Sequence, residues 1–221
     1  YSPLQSLQIT AAHEYHHAVQ YGYNYYFDTW YAEATSTWME DELYDDVNQL
    51  YSYIPAWFIS RSNLSLDIPP STTTGGGYGR WIFNRYLSEA HGGPSIIRSV
   101  WEKLAPLPSP GSGADIPMIP VLESLLSSTT YGSSLGTDFF GFAKRIYQRG
   151  AWTDHPYDAS KIHPYSPVAS YSTYPVNNTV TLPHYAFAYY DFTPATGVTS
   201  LTVTINKTSG IQTSLFKNGV E

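Results

Sequence analysis

The chain has no cysteine among its 221 residues, which excludes disulfides, thiol chemistry and thiolate metal ligands. Any bound metal must be held by His, Asp, Glu or backbone oxygen. Charge is also scarce. Asp, Glu, Lys and Arg make up 13% of the sequence, about half the usual share. The 11 basic residues face 18 acidic ones, for a net charge of -7. They form no patch: the densest stretch, Lys144, Arg145 and Arg149, reads as one helix surface. A chain of this sign repels phosphate backbones, so nucleic acid is not an expected partner. No apolar run is long enough to cross a membrane, so no transmembrane segment is expected. The chain opens on Tyr1 without a signal peptide, which fits a processed chain or a segment of something longer.

Apolar and aromatic residues, in contrast, are plentiful. Hydrophobic residues make up 42% and aromatics 16%, with 21 tyrosines, which is ample for a packed core. Ser, Thr, Gly and Pro fill most of the remaining surface. That surface, with the absence of cysteine, leans toward an extracellular or cell-surface protein of a bacterium or archaeon. Sequons at Asn63, Asn177 and Asn206 make it a candidate glycoprotein.

Periodicity predicts a helix over 8–22, with Ile9, Ala12, His13, His16 and His17 recurring at three- and four-residue steps. A tyrosine-rich link leads to a second helix over 30–52, ended near Pro55. Pro69-Pro70 and Gly75-Gly76-Gly77 argue for loop over 56–78. Further helices are expected over 79–90, 94–105, 117–127 and 138–148, with a linker over 106–114. Prolines at 156, 164, 167 and 175 then change the character of the chain. Short β-prone runs follow at 178–182, 184–191, 198–206 and 211–216. The expected architecture is therefore mainly α: a helical lobe over 1–150, a proline-rich connector over 151–176, and a small β segment over 177–221 that opens a β-sandwich.

The chemistry concentrates in His13-Glu14-Tyr15-His16-His17. His13 and His17 are four residues apart, so on a helix they stack on one face and can bind one ion together. Glu14 follows the first histidine and can lean over the site. Zinc in such a site takes three protein ligands and keeps one position for water, whose proton Glu14 can accept. As a bare string this pattern is common, and a helix with polar histidines and no metal is the plainer reading. Its helical context and the flanking Ala11, Ala12 and Ala18 favour the site.

A glutamate on the next helix strengthens it. Glu33, in WYAEATSTW, lies 16 residues past His17 and can fold back over the two histidines. Here the chain resembles the gluzincins, zinc peptidases whose second helix carries a glutamate ligand. The segment YGRWIFNRYLSEAHGG also resembles the helical lobes of secreted bacterial members, extending the likeness over roughly residues 8–150. The resemblance implies zinc bound by His13, His17 and Glu33, with Glu14 as general base. Thermolysin-type members place an Asp four residues after the ligand Glu to orient the first His. Here that position is Thr37, which can accept a hydrogen but adds no charge. Gluzincins also carry a sheet before the zincin helix, and only twelve residues precede His13.

Several alternatives stay open. Glu40, seven residues past Glu33 on nearly the same helix face, competes as third ligand. Tyr78 is the first candidate for a transition-state hydrogen-bond donor, and Tyr44 the second. His16 points about 100° from His17 and suits a partly buried hydrogen-bonding role. His91 can terminate its helix. The acidic residues between Glu40 and Asp46 make calcium a second candidate ion, although a solvated acidic face explains them as well. Tyr185, Tyr189 or Tyr190, if exposed, could stack on sugars.

The expected function is a zinc-dependent endopeptidase acting on a peptide or protein substrate, completed by upstream and downstream segments of the same protein. The alternative is a catalytically inactive zincin-like structural domain of a larger extracellular surface, filament or matrix protein.

Overall fold

The computed structural model describes residues 1–57, 64–71, 75–148, 152–153, 161–162 and 165–221. Helix α1 spans Pro3–Tyr23 and starts five residues earlier than periodicity predicts, because its start signal is a capping box. Ser2 Oγ accepts from the Gln5 amide at 3.2 Å and Gln5 Oε1 accepts from the Ser2 amide at 2.8 Å. Such a cap is worth about 1 kcal/mol. The helix stops at Asn24, whose backbone turns extended and whose side chain donates to the carbonyls of Leu104 and Leu107.

The buried stripe of α1 is Ile9, Ala12, His13, His16 and Gln20. A stripe holding two imidazoles and an amide cannot pack on aliphatic side chains without a large desolvation cost. It packs instead on α2, Thr29–Leu43, which offers Glu33, Ser36 and Glu40 on the facing side. Small residues between them, Ala32, Thr35 and Ser36, let the two helices approach closely.

Helix α2 is the centre of the lobe and is buried along most of its length. It ends at Leu43, where Tyr44 leaves helical geometry, so the helix expected over 30–52 is two elements. A turn follows, and a 3₁₀ segment, Leu50–Ala56, completes the stretch. Val47, Leu50 and Ile54 are buried, while Leu43 is exposed. The apolar pattern is therefore real but is carried by two elements of different pitch.

A second 3₁₀ segment, Gly75–Arg80, leads into α3, Trp81–Ala90, and both pack on α2. Arg85 of α3 is fully buried and ion-pairs with Asp41 and Glu42 at the end of α2. Helices α4 (Ser95–Leu104), α5 (Met118–Leu126) and α6 (Leu135–Tyr147) close the lobe. Helix α6 is capped by Ser134, whose Oγ accepts from the Thr137 amide at 3.1 Å. The core is aromatic, with Trp57 stacked on Phe142 at 5.5 Å and Phe83 edge-on to it. Among the described residues, no helix is long and apolar enough to cross a membrane.

The β content is small. Strand β1, Ala169–Tyr171, pairs in parallel with β2, Tyr190–Phe192, in the register Ala169 to Tyr190. The runs 178–182, 198–206 and 211–216 alternate in sequence but form no strand. Alternation supplies the two faces of a strand, and a strand also needs a hydrogen-bonded neighbour. The stretch 184–192 is tied to the helical lobe. Phe187 enters the core, Tyr189 Oη donates to the Ala143 carbonyl at 2.6 Å, and Tyr185 packs edge-on to Phe139. Tyr185 and Tyr189 thus serve packing rather than an open sugar platform. The sequon residues Asn177 and Asn206 are exposed, while Asn63 lies outside the described residues.

Candidate metal centre

Three ligand atoms converge between α1 and α2. His13 Nε2 lies 3.2 Å and His17 Nε2 3.7 Å from the same oxygen, Glu33 Oε2. All three fall within 4.8 Å of one another, and no other such group of three occurs among the described residues. Two donors that each sit 2.0–2.1 Å from a tetrahedral zinc are separated by about 3.3 Å. The spacing and the two-imidazole, one-carboxylate donor set therefore fit a divalent ion such as zinc. One turn of α1 brings the two imidazoles together, and α2 delivers the carboxylate from across the interface.

Each imidazole is gripped on its other nitrogen. His13 Nδ1 lies 2.7 Å from Glu40 Oε1. His17 Nδ1 lies 2.8 Å from Gln20 Oε1 and 3.2 Å from Ser36 Oγ. The Gln20 amide nitrogen in turn contacts the Ala32 carbonyl, Thr35 Oγ1 and Ser36 Oγ, each at 3.0 Å. The interface is thus a closed polar network, which is how buried polar groups avoid their desolvation penalty. Glu40 stands against the far nitrogen of His13 and outside the converging trio. Thr37 does not reach His13 at all: its hydroxyl donates to the Glu33 carbonyl at 2.8 Å, one turn back.

The charges in the site follow from this packing. Burial pushes the His13 imidazole down, but hydrogen bonds to Glu33 and Glu40 outweigh it and raise its pKa to about 9. Burial likewise pushes Glu33 up, but His13 and His17 hold it down at about 2. Burial dominates at Glu40, whose carboxyl is raised despite the pull of His13. His17 is raised, chiefly by its contact with Glu33. His16 behaves oppositely: burial and the neighbouring imidazoles lower it to about 4, so it is neutral. Its Nδ1 contacts Ser36 Oγ at 3.2 Å, a packing role.

Glu14 is exposed on the adjoining face of α1. The Tyr78 ring stands edge-on to His13 at 5.7 Å and beside Tyr53 at 5.2 Å. Its pKa is raised by burial first and then by the surrounding Glu33, Glu14 and Glu40 carboxylates. Tyr78 is therefore at the centre, whereas Tyr44 caps the end of α2. His91 caps α3 and pairs with Asp138 at 3.0 Å. In the acidic stretch, Glu40 is engaged by His13, and Asp41 and Glu42 by Arg85, so calcium gains no support. His155 and His163 lie outside the described residues.

Sequence reasoning missed Gln20 and Tyr53. Gln20 had a readable signal, since it lies three residues past His17 and seven past His13 on the same stripe. Tyr53 had none, because it reaches the site through a separate 3₁₀ segment. Comparisons with protein-family models, with curated proteins and with solved structures give no significant match.

Proposed function

We propose that the chain carries the metal centre of a zinc peptidase of the gluzincin kind, with His13, His17 and Glu33 as ligands. The observation that carries this reading is the convergence of His13 Nε2 and His17 Nε2 on Glu33 Oε2, beside an exposed Glu14. Zinc held there would supply Lewis-acid chemistry, polarising a peptide carbonyl and making water more acidic. The residues around it divide the remaining work. Glu14 accepts a proton from the attacking water and returns it to the departing amine nitrogen. Tyr78 donates a hydrogen bond to the oxygen that gains charge as the carbonyl is attacked. Peptide or protein is the substrate class. The cysteine-free, Ser-, Thr- and Tyr-rich composition supports a place outside a bacterial or archaeal cell.

Metal analysis and peptide hydrolysis on the purified chain test the reading, alone and with Glu14→Gln. We expect one zinc per chain, retained in Glu14→Gln, with hydrolysis lowered by about 10²- to 10⁴-fold. A folded wild-type chain that binds no zinc would overturn the centre. Full activity in Glu14→Gln would overturn the assignment of the base. One bound zinc without turnover of any peptide would instead mark a structural zinc domain.

A further inference from the structure

We propose that Glu40 is the positioning residue of the centre: it accepts the Nδ1 proton of His13 and so turns the Nε2 lone pair toward the ion. The inference rests on the zinc-site reading above and goes beyond it, because Glu40 is neither a ligand nor a base. An imidazole that ligates through Nε2 must carry its proton on Nδ1, and whatever accepts that proton sets the ring's orientation and basicity. Oε1 of Glu40 is the acceptor within reach, at 2.7 Å.

The geometry follows from helix pitch. Glu33 and Glu40 are seven residues apart, two turns along one stripe of α2, about 10 Å of rise. The His13 ring lies across that interval, with Nε2 toward Glu33 and Nδ1 toward Glu40. The two carboxylates therefore cannot exchange roles without moving the ring. Thr37, one turn beyond Glu33, lies between them in sequence but turns its hydroxyl back to its own helix.

Two features hold Glu40 in place. It is 6% exposed, so the carboxylate has little water to turn to. The next residue, Asp41, is buried and paired with the buried Arg85 of α3, which pins the last turn of α2. The two ligand histidines are also treated differently. His17 is met on Nδ1 by a neutral amide, Gln20 Oε1, and His13 by a carboxylate. The negative charge behind the ligands thus enters through His13 alone. A carboxylate behind an imidazole strengthens it as a donor more than an amide does.

The test uses the whole chain in four forms: wild type, Glu40→Gln, Glu40→Leu and Thr37→Val. Zinc affinity is read by competition with a chromophoric chelator, folding by far-UV circular dichroism, and the His13 tautomer by ¹⁵N NMR of the zinc-loaded protein. Glu40→Gln keeps an acceptor and loses the charge; Glu40→Leu loses both. We expect zinc affinity to fall about tenfold in the first and up to about 100-fold in the second. Thr37→Val should bind zinc as the wild type does. In the wild type and in Glu40→Gln, His13 should carry its proton on Nδ1. If Glu40→Leu does not fold, the Gln variant and the wild-type tautomer still decide.

Unchanged affinity in Glu40→Gln and Glu40→Leu would overturn the proposal while leaving the centre intact. So would zinc bound through His13 Nδ1, or a Glu40 oxygen found in the coordination sphere. Failure of the wild type to bind zinc would overturn both this inference and the reading it rests on.

Discussion

Gly79 and Tyr53 meet backbone to backbone. A β-carbon at 79 would lie against the Tyr53 carbonyl oxygen, 3.0 Å from its carbonyl carbon and 3.3 Å from Ile54 Cα. The two 3₁₀ segments are locked together at this point, and Tyr78, the neighbour of Gly79, is thereby set beside Tyr53 and against His13. Gly79→Ala should destabilise the fold by about 1–3 kcal/mol, because backbone on both sides has to yield. Denaturant unfolding at equilibrium measures it. A variant as stable as the wild type would show that the segments can separate freely.

If Tyr78 donates to the developing oxyanion, Tyr78→Phe should lower kcat by about 10²- to 10³-fold. The ring and its packing on His13 are kept, so KM and zinc affinity should stay close to wild type. Steady-state kinetics with a single peptide separates these effects. A change confined to KM would assign Tyr78 to substrate binding instead.

The centre is also sensitive to pH. His13 titrates in the folded metal-free chain at about 9 against an ordinary 6.5. Its contribution to folding is therefore full below 6.5 and is lost as pH rises through about 9. Glu33 is held at about 2 against an ordinary 4.5, so its contribution is full above 4.5 and is lost as pH falls through about 2. The pair stabilises the metal-free fold most between those limits. Zinc must displace the His13 proton and, at lower pH, that of the likewise raised His17, so its apparent affinity should rise by at least about tenfold per pH unit up to about pH 9. Competition titrations across that range test this. An affinity flat with pH would mean that His13 binds no ion.

The Arg85–Asp41 pair links the core to the site. Arg85→Met leaves the Asp41 carboxylate buried without that cation and should cost about 3–5 kcal/mol. Because Asp41 adjoins Glu40, zinc affinity should drop as well, although position 85 supplies no ligand. Thermal unfolding and zinc competition on the same preparation reveal both. A loss of stability with full zinc affinity would separate the anchor from the centre.

Some of this molecule was legible in its sequence. His13 and His17 share a face because four residues make about one turn, and that relation is local to a single helix. The helices over 94–105, 117–127 and 138–148 were readable for the same reason: their apolar period and end signals lie within each segment. The break of the predicted 30–52 helix at Leu43 was not, since it depends on Val47, Leu50 and Ile54 packing at a different pitch from α2. Nor were the strands. Alternating runs at 198–206 and 211–216 carry no information on whether a neighbour will pair with them. The division of roles between Glu33 and Glu40 lay furthest beyond the sequence. They share one stripe of α2, so spacing alone made either of them a partner for the histidines. Only the register of α1 against α2 decided that Glu33 meets Nε2 and Glu40 meets Nδ1 of His13, because that register is a property of the packed interface and not of either helix.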